Sequence, residues 1–377
     1  MSLLDKATII TTPTAHSEGK LHSIKGGSVA DFDVVRSSSA TRVNAEGLIE
    51  DVATNIPRID YTDGTASILL EPQTTQLVTL SEDFSNAVWA KTGDTVIESG
   101  YLAPDGNSTA YKISGTNGSI FQPLSLLTTT TRSIYAKTVS GTGTVQLLTH
   151  NSNTNNLFTI TEQWKRFDLN TSNTTGEENF YAVDFRGSGT LSELIIWGAN
   201  ATNDQDYATS YIPTSGAIAT RLADVITGAG DVTTFNSTEG VLYAEMAALA
   251  NTTSFEVISL SNGSSSDIVG FVYRNTTNSF TASVKSGGST SLSKTITLAD
   301  ATEFIKVAIS YKLNEFKFYI NGVLEFTDTA GNTPIGLNTL QFTDGNGTSN
   351  KFKGKVKSVI TFDTALTDAE LECLTTI

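Results

Sequence analysis

The sequence predicts an all-β protein with two consecutive antiparallel β-sandwich domains, preceded by an extended N-terminal region. Short apolar runs recur about every ten residues along most of the chain, which is the strand spacing of a β-sandwich. Many of these runs alternate apolar and polar residues, as expected for strands with one buried face. Thr, Ser, Asn and Gly are abundant between them and favour turns. A chain of 377 residues is long enough for about two or three domains with cores of their own.

The first region, residues 1–80, has a loose pattern. It contains the stretch "TTPTAHSEGKLHSIKGGS" and only one clear apolar run, "ASILLEP". We interpret it as short strands and extended arms with little core of their own. Such a segment gains order by packing on a neighbouring domain, subunit or particle, so it is predicted to be an attachment region.

The second and third regions, residues 81–226 and 227–377, carry the two predicted sandwiches. The second contains runs such as "STAYKIS", "RSIYAKTV" and "SELIIWGA", separated by turn sequences such as "PDGNS" and "RGSGT". The third contains "GVLYAEMAAL", "FIKVAISYK" and "GKVKSVITFD". It ends in a predicted short helix, capped by Thr367 or Asp368, with Leu371 and Leu374 on one side.

The segment "EFKFYINGVLEFT", residues 315–327, predicts a hairpin whose register has two alternatives. A two-residue turn pairs Ile320 with Val323, whereas a three-residue turn with a bulge at Gly322 pairs Tyr319 with Val323. The second register is favoured because it groups the apolar side chains on one face and pairs opposite charges on the other. Its expected core side chains are Phe316, Phe318, Leu324 and Phe326, and its charged pair is Lys317 with Glu325.

Charge and cysteine content exclude several classes of protein. The formal net charge is -15, which argues against a nucleic acid or an anionic membrane surface as partner. The single cysteine, Cys373, excludes an intramolecular disulfide and a cysteine metal cluster. The sequence predicts neither a signal peptide nor a membrane span.

A search for catalytic chemistry predicts none, and therefore no enzyme and no cofactor. The chain has three histidines, His16, His22 and His150, which we interpret as surface or interface residues rather than metal ligands. No Gly-x-Ser-x-Gly elbow is present. The carboxylate pairs Glu177-Glu178 and Asp204 with Asp206 occur in loop-like segments and are interpreted as solvated surface charge.

Candidate ligand-binding residues are few. Asp105 and Asn107, and Asp344 and Asn346, offer oxygen ligands for calcium, although the same sequences form tight turns. Exposed tryptophans could stack on sugar rings. Trp164 and Trp197 are expected to be buried, since each borders an apolar run, which leaves Trp89 as the candidate glycan-binding residue.

Two family resemblances follow from these motifs. The strands "GVLYAEM" and "IKVAISY", the hairpin, and the finish "FKGKVKSVITFDTALTDAELECLTT" resemble a concanavalin A-like or laminin-G-like jelly-roll domain. The segments "VVRSSSATRVNAEGLIEDVATNIPRIDY", "SILLEPQTTQLVTLSEDFSNAVWAK", "EQWKRFDL" and "IIWGANATNDQDYATSYIPTSGAIATRLADVI" resemble, in this order, structural proteins of tailed bacteriophages, including tail-fibre and head-fibre proteins. There the middle part is similar to a carbohydrate-binding-module jelly roll.

These resemblances imply a function. We expect a non-enzymatic phage virion structural protein, a fibre or capsid-decoration component that displays lectin-like domains to host-surface or environmental glycans. The resemblance implies a homotrimer, attached to other capsid or tail proteins through the N-terminal region and located in the virion. The alternatives are a glycan-degrading depolymerase or tail receptor-binding protein, and a free carbohydrate-binding lectin module.

Overall fold

The chain folds almost entirely into β-strands joined by turns. The computed structural model describes residues 2–124, 130–149, 156–171, 179–203, 205–251 and 254–377. The strands follow in chain order: β1 (Ala7–Ser17), β2 (Lys20–Ser23), β3 (Phe32–Val35), β4 (Ala40–Val43), β5 (Ile49–Val52), β6 (Ile59–Asp60), β7 (Ser67–Leu70), β8 (Thr74–Gln76), β9 (Ala90–Thr92), β10 (Val96–Tyr101), β11 (Ala110–Ser114), β12 (Ser119–Pro123), β13 (Thr130–Lys137), β14 (Gly143–Gln146), β15 (Leu157–Ile160), β16 (Lys165–Thr171), β17 (Asn179–Asp184), β18 (Glu193–Asn203), β19 (Ala219–Arg221), β20 (Val225–Ile226), β21 (Glu239–Ala248), β22 (Glu256–Ser261), β23 (Ile268–Tyr273), β24 (Ser279–Ser286), β25 (Ser289–Thr297), β26 (Ile305–Lys312), β27 (Glu315–Ile320), β28 (Val323–Asp328), β29 (Thr339–Gln341) and β30 (Gly354–Phe362).

Helical structure is confined to short elements. Helices α1 (Leu3–Lys6) and α2 (Asp368–Thr375) lie at the two ends of the chain, and a 3₁₀ turn spans Gly27–Ala30. Within the described ranges, no helix has the length and apolar character needed to cross a membrane.

Two compact units make up the chain, and both are β-sandwiches, which confirms the predicted fold class. Unit 1 comprises Met1–Ser37, Ala53–Pro72 and Ala223–Ile377, and unit 2 comprises Ser38–Val52 and Gln73–Leu222. The predicted boundaries at residues 80 and 226 are therefore not the boundaries of the compact units. Unit 2 is inserted into unit 1 rather than preceding it, because strands distant in sequence pair within one sheet, which local patterns do not reveal.

Unit 1 packs a large sheet against a small one. The large sheet has the order β20-β3-β2-β1-β30-β21-β26-β27-β28, with β7 pairing both β30 and β6, and the small sheet has the order β25-β24-β23-β22-β29. One core of buried apolar side chains fills the space between them. Alternation along β21 sends Leu242 and Ala244 into this core and Val241 and Tyr243 to the opposite face.

The N-terminal region belongs to this sandwich. Strand β1 runs antiparallel to β30, with Ile10 opposite Ile360. Ile9, Leu21 and Phe32 are fully buried in the unit 1 core. The predicted lack of a core is therefore wrong for residues 1–37, whereas the expected packing on a neighbouring domain occurs within the same unit.

Helix α2 covers the outer face of the large sheet. Thr367 caps it, because its side chain accepts the Glu370 N–H while the Glu370 carboxylate accepts the Thr367 N–H. Leu371 is buried and Leu374 is half-buried against Val241, Tyr243 and their neighbours. The predicted helix is thus confirmed, with Thr367 as the cap.

The β27–β28 hairpin has the register that the sequence argument rejected. Ile320 pairs with Val323 across a two-residue turn in which Asn321 and Gly322 have φ of 49° and 80°. A bulge lies further from the turn, so that Phe318 pairs with Phe326 and Tyr319 with Leu324. The bulge accommodates Glu325 and returns Phe326 to the side of Phe318.

This register changes the expected core. Phe316 and Phe318 are buried as predicted, and Phe326 packs against the core while half-buried. Leu324 is 45% exposed, so its predicted burial is wrong. Lys317 binds Asp368 at 2.7 Å and Glu325 binds Lys294 at 3.6 Å, which replaces the predicted pairing of Lys317 with Glu325.

Unit 2 is built from two five-stranded sheets. The front sheet has the order β10-β11-β18-β13-β16 and the back sheet has the order β15-β14-β17-β12-β9. Between them lies a core that includes Trp89, Ile134, Phe180 and Ile196. The two-stranded ribbons β4-β5 and β8-β19 complete the unit.

A buried ionic cluster in unit 1 lies where the chain leaves and re-enters this unit. The Asp224 carboxylate accepts hydrogen bonds from Arg36 (Nη1, 2.9 Å) and from both Nε (3.2 Å) and Nη2 of Arg58. Arg58 Nη1 also donates to Glu71 Oε2 at 2.6 Å. The side chains of the two arginines are fully buried, and those of the two acids are 2% exposed. Two cations and two anions thus neutralise one another without solvent.

Beside this cluster, hydrogen bonds join the two ends of each chain segment that leaves unit 1 to form unit 2. Arg36 and Asn55 are joined by two hydrogen bonds. The Asn55 N–H donates to the Arg36 carbonyl (3.0 Å), and the Arg36 N–H donates to Asn55 Oδ1 (3.1 Å). Asp224 N–H donates to the Glu71 carbonyl at 3.0 Å, and Glu71 N–H donates to Asp224 Oδ2 at 2.9 Å. The ends of both segments are therefore adjacent within unit 1.

We expect unit 1 to fold without unit 2. A chain in which short Gly-Ser linkers replace residues 38–52 and 73–222 should show a cooperative thermal transition and a β-type circular dichroism spectrum, because each linker joins residues that are already adjacent. As a control, removal of residues 1–35 takes β1 to β3 out of the large sheet and should abolish cooperative unfolding. A linker variant that unfolds without cooperativity would contradict the nested arrangement.

Candidate functional site

Trp89, the candidate glycan-binding residue, is in the core of unit 2. Its side chain is 1% exposed, and its Nε1–H donates to the Leu80 carbonyl at 2.8 Å. The rings of Phe84 and Phe180 pack against it at centroid distances of 4.8 and 5.9 Å. The prediction is therefore wrong, because no face of the indole is accessible to a sugar.

The residues predicted as calcium candidates hold turns together. The Asp105 carboxylate accepts the N–H and the side-chain amide of Asn107, both at 2.9 Å. Asp344 Oδ2 accepts the side-chain amide of Asn350 at 3.3 Å, and Asn346 Oδ1 accepts the Thr348 N–H at 2.8 Å. Across the residues described, no group of three or more His, Cys, Asp or Glu side chains is arranged to hold a metal ion. That these loops are turns rather than a calcium site stays a prediction.

The histidines considered as ligands have protein partners. His16 Nδ1 lies 3.0 Å from the Pro13 carbonyl, and His22 lies between Asp31 Oδ2 and Ser17 Oγ, each at 2.8 Å. The residues His150, Glu177, Glu178 and Asp204 lie outside the described residues.

The outward side of strands β13 and β16 carries cationic, aromatic, carboxylate and amide side chains together. The two strands are antiparallel neighbours, and β16 is the edge of the front sheet. Ile134, Ala136 and Phe167 point into the core, so the alternate side chains point outward. We call the outward set the outer strip, and from one end to the other its cross-strand neighbours are Lys137 with Trp164, Tyr135 with Arg166, Ser133 with Asp168, and Thr131 with Asn170.

Direct contacts hold the outer strip in place. The Lys137 ammonium lies 5.6 Å from the Trp164 ring centroid, and the Arg166 guanidinium lies 5.5 Å from that of Tyr135. Arg166 Nη2 donates to Ser133 Oγ at 2.8 Å. At the other end, Asn170 Nδ2 donates to Thr131 Oγ1 at 2.8 Å. These contacts order two cations, two aromatic rings and an amide, and the exposed Asp168 carboxylate lies on the same face.

The dimensions and exposure of the outer strip suit an extended ligand. The four cross-strand pairs follow one another at intervals of two residues, so the distance from the first pair to the last is about 20 Å along the strands. Asp168 and Asn170 are exposed, whereas Lys137, Trp164 and Arg166 are half-buried. Thr131 and Ser133 are buried, and the Thr131 hydroxyl and the Asn170 amide both donate to the Gln205 carbonyl, at 2.5 and 3.0 Å. The accessible groups are therefore those at the other end of the strip, where aromatic surface lies beside Lys137, Arg166 and Asp168.

Buried aromatic residues flank the strip on the same face of the front sheet, where Trp197 of β18 is the cross-strand neighbour of Tyr135. The Trp197 ring lies 5.6 Å from that of Tyr135 and 4.6 Å from that of Tyr211. Trp197 Nε1–H donates to Thr109 Oγ1 at 2.9 Å. Trp197 is 1% exposed, which confirms its predicted burial, whereas Trp164 is half-buried rather than part of the core. The alternation in "WKRFDLN" predicts which side chains share a face, but not the partner strand.

A second aromatic group lies on the back sheet and differs in charge. Phe121 and Tyr181 stack with centroids 4.7 Å apart, and the Arg186 guanidinium lies 5.6 Å from Tyr181. The Asp184 carboxylate accepts two hydrogen bonds from Arg186, at 2.9 and 3.0 Å. Arg186 is thus neutralised by the protein itself.

One family model matches part of the chain. Residues 230–372 match the model of the concanavalin A-like lectin/glucanases superfamily. This match confirms the resemblance predicted for the third region, and it falls within unit 1. A search of curated proteins finds no significant match.

Solved structures resemble part of the chain. One is the CBM40 of the Ruminococcus gnavus IT-sialidase bound to α2,3-sialyllactose, with 16% identity, 40% of this chain and 94% of that chain covered, and a TM-score of 0.33. Another is domain 4 of AbnA, a GH43 extracellular arabinanase from Geobacillus stearothermophilus, in complex with arabinotriose, with 17% identity, 46% and 84% covered, and a TM-score of 0.33.

Proposed function

We propose that this chain is a structural protein of a tailed-phage virion, a fibre or capsid-decoration component that adheres to glycans without enzymatic activity. The observation that carries adhesion is the outer strip, where Trp164, Arg166 and Asp168 combine aromatic surface with polar groups on one sheet face. Glycan sites use this combination, because sugar rings stack on aromatic rings while their hydroxyl groups hydrogen-bond to charged side chains.

The phage assignment is supported by the sequence segments that resemble virion proteins. Those segments supply all four members of the buried ionic cluster, namely Arg36 in "VVRSSS", Arg58 in "NIPRIDY", Glu71 in "SILLEP" and Asp224 in "RLADVI". In unit 1 these four residues join the chain positions between which the segments of unit 2 are inserted. If related virion proteins share this arrangement, the segments that form the cluster would recur in the same order, while the surface residues that contact ligands would differ.

Attachment to other virion proteins is proposed to use the N-terminal region. Leu4, Ile24 and Val29 are 60, 62 and 46% exposed, although neighbouring residues of this region are built into the large sheet. Exposed apolar side chains of this kind favour a protein interface. The proposed assembly is a homotrimer, as the phage resemblance implies.

The proposal is tested on particles and on the purified full-length protein. Antibody labelling and electron microscopy of purified virions should place the protein on the head or the tail, and the protein should bind glycans on an array of bacterial surface polysaccharides. Absence from the virion would overturn the structural assignment. Release of reducing ends from a bound polysaccharide would instead favour the depolymerase alternative.

A further inference from the structure

Two cations on the outer strip lack the carboxylate partners that neighbouring cations have. In unit 2, Lys112 pairs with Glu98 at 3.0 Å, and Arg186 pairs with Asp184 at 2.9 Å. Lys137 and Arg166 have no carboxylate within ion-pair distance among the described residues, and their charged groups contact aromatic rings instead. Lys165 also has no carboxylate within ion-pair distance among the described residues and contacts the Phe167 ring. The distinguishing feature of Lys137 and Arg166 is that both lie on the outward face beside aromatic rings, in a chain with a net charge of -15.

The same two cations are held in place and retain donor capacity. The Trp164 and Tyr135 rings fix their positions, and the Ser133 hydroxyl accepts one guanidinium hydrogen of Arg166. Arg166 Nε is buried and has no hydrogen-bond acceptor. An arginine donates up to five hydrogen bonds and a lysine three, so the donors left for a ligand are the Lys137 ammonium and the remaining Nη hydrogens of Arg166, not its buried Nε. A carboxylate is the ligand group that matches such donors in both charge and geometry.

The acidic groups around the cations define the polarity of the strip. Asp168 lies on the same face, one step along β16 from Arg166, at about 7 Å along the strand. Glu162 is turned away, because its Oε1 accepts the Gly141 N–H at 2.6 Å. The strip therefore presents positive charge at the end formed by Lys137 and Arg166, and a carboxylate next to it.

We propose that this end of the outer strip binds the carboxylate of an acidic sugar unit, and that Asp168 accepts hydroxyl groups of the next unit in the same glycan. This inference rests on the proposed glycan adhesion and specifies its ligand as a carboxylated polysaccharide. The net negative charge of the protein is screened beyond about 8 Å at physiological ionic strength, so the charges on the strip itself, two cations and Asp168, set the field at the site.

The test compares polymers that differ only in carboxylate charge. Polygalacturonate and alginate, each beside its methyl-esterified form, are titrated against the full-length protein by calorimetry at low and high salt. We expect at least tenfold tighter binding to the acidic forms, weakening as salt rises. Lys137→Gln combined with Arg166→Gln should abolish this preference, and Arg186→Gln, which alters an arginine stacked on a tyrosine but already neutralised, should retain it.

Each other outcome is informative. Equal affinity for the acidic and esterified polymers, or an unchanged preference in the double variant, would overturn the carboxylate assignment. Dextran sulfate bound as tightly as the acidic polymers would overturn it as well, by showing recognition of any polyanion. If esterified polymers bind and only Trp164→Ala prevents it, adhesion stands and the acidic specificity fails. If neither these polymers nor the polysaccharide array are bound, the proposed adhesion fails.

Discussion

Replacing Asp224 with alanine is expected to lower the free energy of unfolding of unit 1 by about 3–5 kcal/mol, because it leaves two buried arginines without their shared carboxylate. Asp224 accepts hydrogen bonds from Arg36, from Arg58 and from the Glu71 N–H. Burial lowers the pKa of Arg36 against the attraction of Asp224. For Arg58 the two carboxylates outweigh burial and raise the pKa above its ordinary value. Both arginines are therefore charged and need the acid.

The measurement separates the two units by their chromophores. All three tryptophans, Trp89, Trp164 and Trp197, belong to unit 2. Tryptophan fluorescence therefore reports the unfolding of unit 2, while the circular dichroism of the whole chain also reports unit 1. Denaturant titration of the Asp224→Ala protein should shift the dichroism transition to lower denaturant concentration.

Matched variants distinguish the loss of the Asp224 charge from other effects of a substitution on stability. Asp224→Asn preserves shape and an acceptor oxygen but removes the charge, and it should still be strongly destabilising. Glu325→Ala removes the partly exposed pair with Lys294, and we expect a loss below about 1 kcal/mol. A change of that small size for Asp224→Ala would contradict the proposed importance of the cluster. In a double-mutant cycle, Arg58→Met should rescue part of the Asp224→Ala loss.

The stability of unit 1 is expected to fall as pH rises from about 4.5 to about 8, because of Glu256. This side chain is 5% exposed, lies opposite Tyr273 on the neighbouring strand, and has a buried Oε2 without a hydrogen-bond partner. Burial raises the pKa of Glu256 to about 8, although Lys353 attracts the charged form. The folded state therefore retains a proton that the unfolded chain has already released.

The sign of the pH effect follows from proton binding. Between the two pKa values the folded state binds more protons than the unfolded state, so each pH unit lowers the free energy of unfolding by up to about 1.4 kcal/mol. Below pH 4.5 this contribution is fully present, and above pH 8 it is lost. Glu256→Gln removes the titration, so its stability relative to the native protein should increase with pH across this interval, by about 2–5 kcal/mol in total.

Urea titrations of both proteins at pH 5, 7 and 9 provide the measurement. Glu303→Gln removes a carboxylate from an exposed position of unit 1 and controls for the change in net charge. A difference between Glu256→Gln and the native protein that is constant with pH would contradict the assignment. Tyr273, whose hydroxyl donates to the Met246 carbonyl at 3.3 Å, is unchanged in each of these variants.

The outer strip could be predicted only in part from local sequence patterns. The alternation in "WKRFDLN" places Trp164, Arg166 and Asp168 on one face of a strand, and "RSIYAK" does the same for Tyr135 and Lys137. The sequence does not show that these two strands are neighbours, which requires the pairing of β13 with β16. The prediction of Trp89 failed for a related reason, because its burial depends on the β-sheet that covers it and not on adjacent residues.

The sequence alone determined the all-β fold class, the strand-rich third region and the presence of helix α2, since strand alternation and helix capping act over a few residues. Only the tertiary structure showed that unit 2 is inserted into unit 1, that Arg36, Arg58, Glu71 and Asp224 meet in one cluster, and that the β27–β28 hairpin has its bulge at Glu325. These features depend on contacts between residues far apart in the chain, where side-chain packing and burial of charge select one pairing among several that local propensity allows.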